Sequence, residues 1–144
     1  MRVVIQDAAF DPSAELARFD ALGGGAVVTF NGVVRDDTGD LQSMEIEHYA
    51  GMTEAALRAF VDTAVARFEL TNALVIHRYG SLKPGDVIMM VATASKHRKQ
   101  AFQGADFLMD YLKSRAPFWK KEIRAGGADW VDAKDVDEDA LKGW

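Results

Sequence analysis

Two lysines bracket a proline in the stretch Leu112-Lys113-Ser114-Arg115-Ala116-Pro117-Phe118-Trp119-Lys120. Their type and spacing point to anion chemistry. Lys113 closes a helix-patterned segment in which Phe102, Ala105, Met109 and Leu112 recur at helical spacing, with Ala101 and Leu108 widening the apolar stripe. Asp106, Asp110 and Lys113 fall on another face at i, i+4 and i+7. Pro117 disfavours helical geometry at Ala116, so the helix is expected to stop near Arg115 and the chain to run extended through Phe118–Lys120. A bend there can point both ammonium groups into one space, which is how an anion pocket is built.

The charge distribution sharpens this reading. Residues 96–124 hold eight Lys/Arg against three acids, a local +5, while the rest of the chain has nine basic and nineteen acidic residues. A positive island in a protein of net charge −5 suggests a focused site for a small anion, whereas a nucleic-acid binder is more often basic overall. The plainer account is a set of solvated helix-end charges, with Lys113 and Arg115 complementing the helix dipole. On composition alone the two readings are level.

The elements that must position these residues follow from patterning. At 144 residues the chain is expected to form one domain, 1–144. Arg2–Gln6 reads as a strand and Pro12–Leu22 as a helix capped by Asp11, with Leu16, Phe19 and Leu22 as its apolar positions. Gly23-Gly24-Gly25 breaks it before the buried strand Ala26–Phe30. Asn31-Gly32 then reads either as a hairpin turn or as a kink within one long strand. Gln42–Tyr49 alternates, with Met44, Ile46 and His48 on one face, and His48 reads as a hydrogen-bonded core or edge histidine. Thr53 is placed to cap a helix over Glu54–Phe68. Strands Ala73–Tyr79 and Val87–Ala94 follow, then the lysine-bearing helix, a strand over Phe118–Ile123, a Gly126-Gly127 turn and Trp130-Val131. Short connections between paired strands indicate an α+β fold, a mostly antiparallel sheet with flanking helices. No Gly-rich loop opens a helix, which disfavours a doubly wound nucleotide fold.

Other classes of function are narrowed by what is missing. There is no cysteine, hence no disulfide, thiolate metal site or cysteine nucleophile, in keeping with a cytoplasmic protein. Three scattered histidines give little support for a metal site, and no cofactor is expected. No apolar run approaches the ~20 residues of a membrane helix, and the N-terminus lacks the apolar core of a signal peptide.

Taken together, several blocks are distinctive. They are Gly25-Ala26-Val27 with Phe30 and Gly32-Val33-Val34-Arg35; Glu47-His48-Tyr49 with Met52; and His77-Arg78 with Gly80. Then come Ser95 with His97-Arg98 and Ala101-Phe102, and Tyr111-Leu112-Lys113 with Pro117, Trp119-Lys120-Lys121-Glu122 and Trp130-Val131. In this order, over nearly the whole chain, they resemble the large, catalytic subunit of molybdopterin synthase. The resemblance implies an α+β hammerhead-type arrangement and a sulfurtransferase of molybdenum cofactor biosynthesis, converting cyclic pyranopterin monophosphate to molybdopterin. It implies a small ubiquitin-like partner carrying sulfur as a thiocarboxylate on its C-terminal Gly-Gly tail, and a homodimer within a heterotetramer. It also implies Lys113 as principal catalytic residue and Lys120 as the second essential lysine. Arg35, His97 and Arg98 would line the anion site, with Val33, Val34, Lys121 and Glu122 contributing local contacts. Lys134 stands where the family often presents an arginine from the neighbouring subunit, and a lysine keeps the charge but loses the bidentate fork.

The residue chemistry agrees. Clustered cations hold a cyclic phosphate and stabilise the charge that develops as it opens. Lys113, close to Lys120 and Arg35, is expected to find its charged form disfavoured, with bound phosphate acting the other way. Taken alone, Arg35 reads as an ion-pair partner of Asp36 or Asp37. Trp119 and Phe30 are of a type that stacks on a pterin, although large aromatics are more often core. Trp130, Val131, Leu141 and Trp144, around an acidic tail, suggest burial against a partner. With no cysteine to carry a persulfide, the sulfur must come from outside. The alternatives are a non-catalytic binding module for a phosphorylated metabolite and an RNA-binding module, the latter weakened by the net charge.

Overall fold

The two most apolar strands pair at the centre of the molecule. In the computed structural model, which describes residues 1–131 and 135–144, the element order is β1 (Arg2–Gln6), α1 (Pro12–Arg18), β2 (Ala26–Val33), β3 (Leu41–His48), α2 (Met52–Phe68) and β4 (Leu70–Arg78), continuing with β5 (Gly80–Leu82), β6 (Val87–Ser95), α3 (Arg98–Ser114), β7 (Phe118–Arg124), β8 (Gly127–Val131) and α4 (Asp135–Leu141). Two four-stranded sheets result, ordered β1-β4-β6-β2 and β5-β3-β7-β8. Every pairing is antiparallel except β1 with β4.

Both faces of β4 and β6 are covered, so these strands are apolar throughout rather than alternating. On one face Ala73, Val75, Met89 and Val91 pack with Leu57, Val61, Ala64 and Phe68 of α2 and with Ala105, Phe107, Leu108 and Leu112 of α3. On the other, Leu74, Ile76, Met90 and Ala92 meet Phe10 and Phe19, the residues flanking α1. The second sheet has its own cluster of Val34, Leu41, Ile46 and Leu82. Ile88 and Phe118 pack against both this cluster and the main core, and so join the two sheets.

Several sequence expectations change. The chain forms two sheets rather than one, and β5 and α4 are additional elements. The first helix stops at Arg18, and Leu16 and Leu22 are exposed. The Asn31-Gly32 hairpin does not form; β2 continues to Val33 with a register shift, the kinked-strand alternative. Gly51 rather than Thr53 precedes α2; Thr53 is fully buried, accepting from Tyr49 N–H at 3.1 Å and donating to the Pro117 carbonyl at 3.2 Å. Phe102 is 61% exposed and lies off the buried stripe of α3, whose large core residue is Phe107. Gly104 supplies the close approach that the stripe hides, since a Cβ there would sit 2.9 Å from both methyls of Leu70. Trp144 closes the main core within the same chain: its ring packs on Phe68 and Phe107, and its indole N–H donates to Asp110 at 2.5 Å.

Candidate active site

The expected bend forms. α3 ends with the Arg115 N–H donating to the Tyr111 carbonyl at 2.8 Å, and Pro117 follows two residues later, where the chain turns into β7. Alternation along β7 puts Phe118, Lys120, Glu122 and Arg124 on one face. Their cross-strand partners, His48 opposite Phe118, Ile46 opposite Lys120 and Met44 opposite Glu122, identify this as the face turned to the core. Lys120 is therefore a half-buried ammonium beside Ile46, which is only 2% exposed.

Lys113 is exposed in the last turn of α3. The two lysines are electrostatically coupled. Burial pushes the Lys120 pKa down, the Lys113 charge pushes it further, and Asp137 on α4 acts in the opposite sense. Across the proline bend the two lysines are within electrostatic reach of each other, and the one held in poor solvation is the one on the strand.

Beneath Lys120 lies a cluster that sequence reasoning missed. His77, 3% exposed, continues the core face of β4 after Ala73 and Val75 and stacks on Phe118 with ring centroids 3.8 Å apart and planes at 16°. Its Nδ1 is 2.7 Å from the Arg78 carbonyl; a carbonyl only accepts, so Nδ1 carries the hydrogen. Burial first, then the Lys120 charge, lowers the His77 pKa to about 3. His48 sits at the edge of this floor, 4.3 Å from the Tyr79 ring. Its buried Nδ1 has no partner among the described residues, against the expectation of a hydrogen-bonded histidine. The one available signal was a histidine within the apolar run Ala73–Tyr79, on the face of Ala73 and Val75.

Topology decides which other sequence candidates join the lysines. β2 and β4 both run antiparallel to β6, pairing Val33 with Val87 and His77 with Met89. The β2 end carrying Val33–Arg35 therefore lies at the same end of the sheet as His77. Helix α3, packed back along this sheet, brings Lys113 to that end. Arg35 is 75% exposed and pairs through Nε with Asp37 at 2.8 Å, the ion pair its neighbours suggested. Val33 is exposed at the end of β2. Val34 is buried, its N–H donating to the Asp86 carbonyl and its carbonyl accepting from Gly85 N–H. The Glu122 carboxylate is engaged by Arg124, which also holds Asp36 and Asp40 and so ties the loop after Arg35 to β7. Lys121 and Trp119 occupy the opposite face of β7 from Lys120: Lys121 lies over the Trp130 ring and Trp119 meets Tyr49 edge-on. Trp119 is thereby removed from the lysine pocket as a stacking platform.

His97 and Arg98 are at the other end of the helix. Seventeen residues at ~1.5 Å rise put them roughly 24 Å from Lys113 along the axis. A single chain does not bring them together with the lysines. They line a separate open groove with Lys99, Phe102 and Gln103. Lys134 lies outside the described residues. Among the described residues no group of three or more His, Asp or Glu is arranged to hold a metal ion.

Residues 5–115 match the family model described as MoaE protein. The chain belongs to the MoaE family. It is 60% identical to the molybdopterin synthase catalytic subunit of Cereibacter sphaeroides, with each chain covered in full. Among solved structures, the molybdopterin biosynthesis MoaE protein of Burkholderia ambifaria superposes with a TM-score of 0.83 at 44% identity, covering 99% of this chain and 97% of the other. The molybdopterin synthase of Staphylococcus aureus gives 0.82 at 29% identity, covering 90% and 96%. The α+β architecture is that of the MoaE structures.

Proposed function

We propose that this chain is the catalytic subunit of a molybdopterin synthase, which moves sulfur from a thiocarboxylated small subunit onto cyclic pyranopterin monophosphate. The observation that carries this reading is the coupling of Lys113 and Lys120 across the proline bend. One ammonium is exposed and free to meet an incoming anion, and the other is poorly solvated and so readier to give up a proton. Lys113 acts as the principal catalytic group and Lys120 as the second. Arg35 reaches the phosphate by exchanging Asp37 for it, while Val33, Val34, Lys121 and Glu122 shape the strands on either side. The work takes place in the cytoplasm, and the sulfur comes from the partner's Gly-Gly tail because this chain has no cysteine to carry it.

His97 and Arg98 belong to the same anion site only if a second copy supplies them. β2 is an open sheet edge with Val27, Phe30 and Val33 exposed. Antiparallel pairing of two such edges would set the His97 end of one copy against the Arg35 end of the other, and in such a dimer Lys134 could approach the neighbouring pocket. Sedimentation at micromolar concentration tests this, and a 15.8 kDa monomer would remove the shared site.

The activity itself is tested by incubating the chain with cyclic precursor and thiocarboxylated small subunit and assaying for dithiolene. Precursor binding without dithiolene formation would leave a phosphorylated-metabolite binder. Turnover with free sulfide alone at a comparable rate would overturn the carrier requirement.

A further inference from the structure

The bend between the two lysines is held from outside by a buried hydroxyl. Pro117 lies four residues after Lys113 and three before Lys120. On the helix side the Arg115 and Ala116 N–H groups donate to the Tyr111 carbonyl at 2.8 and 3.1 Å, and the Phe118 N–H donates back to the Ala116 carbonyl at 2.8 Å. These bonds are local to the segment, so they shape the bend without fixing where it sits. The Pro117 carbonyl comes just before β7, whose pairing with β3 reaches Phe118 opposite His48. It accepts from the Thr53 hydroxyl at 3.2 Å, a contact across sixty-four residues. Thr53 is 0% exposed, and its Oγ1 also accepts from the Tyr49 N–H at 3.1 Å. An N–H only donates and a carbonyl only accepts, so the single hydrogen of the hydroxyl is committed to Pro117. The Thr53 N–H in turn donates to the Tyr49 carbonyl at 3.0 Å. The first turn of α2, the residue leaving β3 and the bend thus meet at one side chain.

We propose that Thr53 is a positioning residue for the lysine pair, its hydroxyl holding the Pro117 carbonyl so that Lys113 and Lys120 keep their separation and direction. The inference rests on the functional reading above and deepens it. Lys113 leaves the end of a helix and Lys120 a strand, so a backbone rotation anywhere between them moves one ammonium against the other. Valine matches threonine in shape but carries no polar atom. In its place the Tyr49 N–H and the Pro117 carbonyl are both left without their partner inside the protein. An unpaired buried carbonyl turns toward water, and the bend moves with it. Besides burial, the charges acting on Lys120 are Lys113 on α3, which lowers its proton affinity, and Asp137 on α4, which raises it. Releasing the bend lets water reach the Lys120 ammonium and parts it from Lys113, and both changes raise its pKa.

The test compares the parent with Thr53→Val and Thr53→Ser, each assayed with thiocarboxylated small subunit and cyclic precursor. Misplacing a catalytic group by about 1 Å costs about 10²-fold, so Thr53→Val is expected to lower kcat by about that factor with KM for the precursor changed less than twofold. Thr53→Ser restores the hydroxyl and is expected to recover most of kcat. ¹⁵N NMR of the lysine-labelled chain follows the Lys120 titration with no need for turnover. An upward shift in Thr53→Val and the parent's behaviour in Thr53→Ser are expected. A role in packing alone has a different signature: a lower melting temperature in Thr53→Val, with the kcat and Lys120 titration of the parent. That result overturns the proposal. In the parent, ¹H NMR reads the hydroxyl itself. A Thr53 hydroxyl proton protected from exchange with water is expected, and a freely exchanging one sinks the idea even where Thr53→Val does not fold. Should the parent form no dithiolene, the functional reading fails, while the two NMR measurements still decide whether Thr53 holds the bend.

Discussion

Buried and neutral, His77 makes the fold acid-sensitive by an amount that can be worked out. Its pKa is about 3 in the folded protein against 6.5 for a free histidine. Between those values the unfolded chain binds a proton that the folded chain does not. The contribution is therefore fully present above the unfolded pKa and is lost as pH falls toward the folded one. At 1.36 kcal/mol per pKa unit, lowering the pH from 7 to 5 removes about 2 kcal/mol through this one residue. With a urea slope of about 2 kcal/mol/M, that moves the unfolding midpoint by about 1 M. The assay is urea unfolding of the parent and of His77→Phe at both pH values, followed by tryptophan fluorescence. Other groups titrating in this window are present in both proteins and cancel in the difference. The parent is expected to lose about 2 kcal/mol more than the variant between pH 7 and 5. Equal losses in the two proteins would mean that His77 takes up its proton without unfolding, and the account of a sealed, desolvated imidazole would be wrong.

Three further outcomes follow from the same geometry. Lys113→Ala removes an exposed cation with no hydrogen bond or ion pair among the described residues, so stability is expected to change by no more than about 1 kcal/mol, the helix-end charge effect. Sulfur transfer should fall about 10²–10⁴-fold, and a loss under tenfold in a folded variant would count against an acid–base role. Lys113→Arg should be equally poor in turnover while still binding precursor, since arginine keeps the charge but cannot exchange the proton. Arg35→Ala should raise KM for the precursor with kcat and melting temperature little changed, because its present contact is a solvent-exposed pair with Asp37; steady-state kinetics would show an unaltered KM if that pair is its whole role. Gly104→Val should cost about 1–3 kcal/mol in thermal or urea unfolding, because the added carbons meet Leu70 where α3 lies on β4, and a neutral result would mean the helix can lift off the sheet freely.

The local content of the sequence was enough to read most elements and the proline bend. Helix periodicity, the Asp11-Pro12 cap and the steric effect of Pro117 on Ala116 act within a few residues, so they are legible without knowing the fold. The lysine pair was legible for the same reason, being seven residues apart across that bend. Short blocks ordered along the chain carried the resemblance to the family, whose model matches residues 5–115. Phe102 and Phe107 show where local pattern stops. Both are apolar on one helix, and only the docking of α3 on the sheet chose Phe107 for the core and left Phe102 in water. Strand pairing made the other decisions. It gave Lys120, through its register with Ile46, the buried position among the basic residues of β7, and the packing of the two sheets brought His77 from forty-one residues away to lie under Phe118. It also parted His97 and Arg98 from the lysines by the length of a helix, although charge alone had grouped them into one island. Charge and residue type are properties of the chain; solvation and neighbourhood, which set what an ammonium or an imidazole can do, exist only once the sheets have formed.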